Sequence, residues 1–140
     1  MEARICMTYI IADPDMQSGI ELKKILDGST ALEFQGIYTT LAAAEEDIFD
    51  HPPDVAFICS EKAALNAFRL AGKIRQRSPV SKIVLIGACK ENAVDAFEQE
   101  ADGFLLLPST KAAVSRLLRN LGIEKEDIPL QKASRNKTGG

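Results

Sequence analysis

Two carboxylates, Asp13 and Asp15, close the first apolar run of the chain, and a cysteine, Cys59, closes the third. Carboxylates at such a turn can offer hard oxygen ligands to Mg²⁺. A cysteine can act as a nucleophile where its thiol is made acidic. Each feature also has a plainer use. Asp15 suits a helix N-terminus through the macrodipole, and a cysteine at a strand end is most often simply buried. Gly87 and Leu107 stand at the ends of the fourth and fifth runs. A glycine there can act as a hinge or admit close backbone approach. A leucine there closes a pocket by packing.

These positions matter because of the elements that deliver them. Ile5 to Ala12, Leu32 to Thr39, Val55 to Cys59, Ile83 to Ile86 and Phe104 to Leu107 read as strands. Met16 to Leu26 has apolar residues at helical spacing, as do Leu41 to Phe49, Ala63 to Arg75 and Asn92 to Glu100. In the second of these, Leu41, Ala44, Ile48 and Phe49 form the expected inner face. Pro52-Pro53 and Ser78-Pro79 act as stops. Ser109 or Thr110 can cap a last helix running to Leu121. Strands of continuous apolar character alternating with helices predict a parallel sheet covered on both faces, (βα)5 and doubly wound. Sites in such sheets lie at the carboxyl ends of strands. Those ends are Asp13, Cys59, Gly87 and Leu107.

With 140 residues, 46% hydrophobic and 26% charged, the chain suits one globular domain. A net charge of −3 gives no strong field for nucleic acid or anionic lipid. No apolar run approaches the roughly 20 residues of a membrane span. Three cysteines without paired spacing fit a reducing, cytoplasmic setting. Residues 1–122 form the expected domain, and residues 123–140 read as a polar tail or linker.

Several segments together resemble the response-regulator receiver family over about the first 120 residues. Ile11-Ala12-Asp13-Pro14-Asp15 resembles its acidic turn, and Pro53-Asp54-Val55-Ala56-Phe57-Ile58-Cys59 its third strand. Ala93 to Glu98 and Ala101 to Pro108 resemble its fourth helix and fifth strand, in wording closest to the LytTR class. The resemblance implies a CheY-like, flavodoxin-like strand order 2-1-3-4-5. It also implies a phosphoacceptor Asp at the third strand's end, a Ser or Thr at the fourth's and a Lys at the fifth's. Paired acids in the first turn would help hold Mg²⁺.

This chain departs from that pattern. Pro14 stands at the second acid, with Asp15 one place later. Cys59 stands at the acceptor, Gly87 at the hydroxyl and Leu107 at the lysine. Asp13 and Asp15 remain only partial Mg²⁺ candidates, and no other cofactor is expected. The expectation is a phosphorylation-independent, non-enzymatic pseudo-receiver. It would act on a protein partner: a second copy, a kinase or an attached output domain. DNA would be reached only through a downstream domain. The interaction face would comprise Asp95 and Glu98, Phe104 at the aromatic switch position, and Lys111 and Arg119, with acid facing base as a two-fold dimer requires. The alternatives are a small α/β thiol enzyme using Cys59 and a small-ligand sensor in the acidic pocket.

Overall fold

The computed structural model describes residues 6–61, 66–91, 93, 97 and 100–124. The elements are β1 (Met7–Ala12), α1 (Met16–Leu26), β2 (Leu32–Tyr38), α2 (Leu41–Asp50), β3 (Val55–Cys59), α3 (Ala67–Arg77), β4 (Lys82–Gly87), β5 (Gly103–Leu106) and α4 (Lys111–Asn120). All strand pairs are parallel, in the order β2-β1-β3-β4-β5. The alternation of strands and helices therefore folds as expected.

The central strands show why their sequences are apolar throughout. Every residue of β3 is buried, and every residue of β4 after Lys82. Helices cover both faces, so no side chain of these strands can be polar without losing water on either side. Tyr9, Ile10 and Phe57 fill the centre, with the Tyr9 ring edge-on to Phe34 and Phe57 at 5.6 and 6.0 Å. The Tyr9 hydroxyl reaches out of this apolar layer to donate to Asp27 Oδ1 at 2.7 Å.

The helix starts follow capping chemistry. Asp15, Thr40, Asn66 and Thr110 accept hydrogen bonds from the first-turn amides of α1, α2, α3 and α4. Each satisfies donors that have no partner inside the helix. The described part of α3 begins at Ala67 behind its cap; Ile5, residues 63–65 and residues 125–140, most of the expected tail, lie outside the described residues, while Ile123 packs against the core. Between β4 and β5, the described residues Glu91, Ala93 and Phe97 are helical.

One expected face is corrected. In α2, Ala44 and Ile48 are buried, but Phe49 is 63% exposed. Leu41, Ala44 and Ile48 face the core, and Phe49, one position beyond Ile48, falls on the α3-facing edge. There Arg77 lies over its ring, 4.7 Å from the centroid, and donates to its carbonyl oxygen.

Candidate functional site

The strand register assembles the carboxyl edge of the sheet. Ala12 pairs with Ile58, Cys59 with Ile86, and Gly87 with Leu106. Asp13, Cys59, Gly87 and Leu107 therefore end neighbouring strands, and the four strand-end positions singled out from the sequence do come together.

Asp13 and Asp15 do not act as a pair. Asp13 is buried at 3% exposure, and its Oδ1 accepts the Asp15 N–H at 2.9 Å across Pro14. Asp15 is exposed, and its Oδ1 accepts from the Gln17 and Ser18 amides at 3.1 and 3.4 Å. One carboxylate points into the edge of the sheet while the other caps α1. Among the described residues no group of three or more His, Cys, Asp or Glu gathers as a cation site. Mg²⁺ wants several hard oxygens in near-octahedral array, and Cys59 offers a soft thiol at the central position. The residues present do not fit a resident Mg²⁺.

Cys59 is enclosed, 4% exposed, at the end of β3. A thiol so enclosed is shielded from substrates in solution. Cys89 is the exposed cysteine, and it donates to Glu91 Oε1 at 2.5 Å. That carboxylate pushes its thiol above the ordinary cysteine range.

Sequence reading missed Glu61. Its Oε2 accepts the Ala88 backbone N–H at 2.6 Å. Beside it, Ser60 N–H donates to the Ile86 carbonyl at 3.1 Å. These bonds bridge the segment after β3 to β4 and the loop that follows it. The partners lie 27 residues apart, and no local pattern announces the pairing.

Leu107 continues the edge. Its N–H donates to the Gly87 carbonyl at 2.7 Å, and the peptide bond to Pro108 is cis. The half-buried side chain packs against the core and lines a groove of about 390 Å³ with Leu22, Ile25 and Pro108. The Ser109 hydroxyl oxygen on this groove is buried and has no hydrogen-bond partner among the described residues. An apolar wall thus stands where a lysine would place positive charge.

Phe104 is half-buried and packs against the core, while Lys111 and Arg119 are exposed on α4. Asp95 and Glu98, the acidic half of the expected interaction face, lie outside the described residues.

No protein-family model matches the chain. It is 24% identical over 120 residues to the sensory transduction protein LytT of Bacillus anthracis, covering 86% of this chain and 49% of that protein. It is 27% identical over 114 residues to the sensory transduction protein LytR of Streptococcus mutans serotype c, covering 80% and 47%. The chain therefore spans about half the length of the curated relatives it matches. The crystal structure of the response regulatory domain of protein mrkE from Klebsiella pneumoniae superposes with a TM-score of 0.71 at 27% identity, over 83% of this chain and 95% of that one. Relatives and structural neighbours together support a CheY-like receiver domain of a two-component response regulator.

Proposed function

We propose that this receiver domain regulates by protein–protein interaction without phosphorylation of an aspartate. The observation that carries this reading is the composition of the carboxyl edge. Cys59, Gly87 and Leu107 stand side by side where, by the family resemblance, acceptor, hydroxyl and lysine belong. A thiol lacks the carboxylate that attacks phosphorus and ligates the metal. A glycine and a leucine supply neither the donor nor the positive charge that stabilises a transferred phosphoryl group. In addition, Glu61 Oε2 already accepts the Ala88 N–H, a backbone donor in the loop after β4.

With no hydroxyl at Gly87 and no phenol at Phe104, a modified pocket has no handle on the aromatic position. A ligand can bias only states that it distinguishes. The face around Phe104, Lys111 and Arg119 is then constitutive. A kinase, a second copy and an attached output domain are all candidate partners, and the output domain is favoured because the relatives are about twice as long as this chain. A LytTR-class domain following the receiver would carry DNA binding. The enclosure of Cys59 weighs against the thiol-enzyme reading.

The test is an amide NMR titration with beryllofluoride and Mg²⁺, which mimic a phosphoryl group on a receiver aspartate. The amides of Phe104, Leu106 and Lys111 are expected to stay in place. Saturable shifts that spread from the carboxyl edge to these residues would overturn the proposal.

A further inference from the structure

We propose that the face formed by α2 and α3 is a self-complementary docking surface for a second copy of this chain. It lies away from the carboxyl edge and does not rest on the reading of the phosphorylation pocket. Among their charged residues, α2 carries only acids and α3 only bases. The two helices lie side by side, tied by an ion pair from Arg69 Nε to Glu45 Oε2 at 2.9 Å and by the Arg77 contacts to Phe49. Between them runs a groove of about 250 Å³, lined by Glu45, Ile48, Phe49, Lys73, Gln76 and Arg77.

Three observations select the occupant. First, Phe49 presents an aromatic ring that is 63% exposed at the edge of this groove. Such rings are typical anchors of protein interfaces. Secondly, Glu46 and Asp50 on α2 and Lys73 on α3 are exposed and make no ion pair among the described residues. Lys73 lines the groove, and Glu46 and Asp50 lie on α2 outside its lining, so charge of both signs that makes no ion pair among the described residues is divided between two neighbouring helices. Thirdly, that division is what a two-fold axis requires. Rotation brings the acidic helix of one copy onto the basic helix of the other, and each pairing occurs twice. A uniformly basic or acidic partner would meet repulsion from one of the two helices.

The size of the patch sets the strength. Two helices of this length span about 16 Å by about 20 Å, or roughly 300 Å². A standard interface buries about 800 Å² on each partner. The dimer is therefore weak and transient, and opposite charges set its register and salt dependence more than its strength.

Sedimentation velocity tests this on the full chain, from micromolar concentrations to about 1 mM, at low and high salt. The wild type is expected to self-associate as concentration rises at low salt and to dissociate at high salt. Phe49→Ser and Lys73→Glu should each weaken association about tenfold or more, and Glu46→Lys combined with Lys73→Glu should restore it. Lys24→Glu, at an exposed site on α1, should leave it unchanged. Circular dichroism checks that each variant is folded, and Lys73→Glu, a change at an exposed site, carries the test if Phe49→Ser is not. A wild type that is monomeric throughout would overturn the proposal. So would a dimer lost on Arg119→Glu but kept in folded Lys73→Glu, which would place self-association on the face around Phe104 instead.

Discussion

Glu61 Oε2 accepts the Ala88 backbone N–H at 2.6 Å and so ties the loop after β3 to the loop after β4 across the candidate site. A bond from an amide to an ionised carboxylate is stronger than a neutral one. Glu61 is exposed, however, so solvent competes for both partners. Glu61→Ala is expected to cost less than about 1 kcal/mol in global stability. Exchange of the Ala88 amide with solvent deuterium should nevertheless speed up selectively. Unchanged exchange in the variant would mean the carboxylate does not close this donor.

A second carboxylate gives stability a dependence on pH. Burial raises the Asp27 carboxyl, but hydrogen bonds from Lys23 at 2.5 Å and Tyr9 at 2.7 Å outweigh it and hold the group below its ordinary range. The folded state thus binds its proton less readily than the unfolded chain. The stabilisation is present above the unfolded value of about 3.9 and is lost as pH falls through the lower folded value. Asp27 is largely exposed, so the effect is below about 1 kcal/mol. In urea titrations, the stability gap between wild type and Asp27→Asn should be full near neutrality and shrink below about pH 4. A gap that stays constant to low pH would remove Asp27 as the source.

Restoring an acid at position 59 is expected to destabilise the fold. Cys59 and Asp13 are 4% and 3% exposed on adjacent strand ends. A second carboxylate there is both desolvated and repelled, which raises its pKa, and Leu107 offers no countercharge. Cys59→Asp should cost about 1–3 kcal/mol in EDTA at neutral pH. Excess Mg²⁺ should recover part of this, because it binds the folded site only. Equal stability of variant and parent in EDTA would show a hydrated, open pocket.

The strands and the carboxyl-edge positions were legible because burial on both faces forces apolar runs, and those runs end where the site begins. β3 matches its expected span, and α1 does so because Asp15 marks its start. Phe49 falls off the α2 core face because helical spacing gives an angle around one helix, whereas where the core and α3 lie around that helix is set by the tertiary packing. Glu61 left no trace in the sequence for the same reason: its partner is a backbone amide on another strand's loop, and every residue but proline has one. The division of Asp13 and Asp15 into a buried acceptor and a helix cap was half visible, since only the cap has a local signature.

The central claim is that no aspartate of this domain accepts a phosphoryl group. The most direct measurement is intact mass after incubation with acetyl phosphate and Mg²⁺, with hydroxylamine treatment to identify an acyl phosphate. The expected result is an unchanged mass, given Cys59, Gly87 and Leu107 at the ends of β3, β4 and β5. A hydroxylamine-labile gain of one phosphoryl group would contradict it.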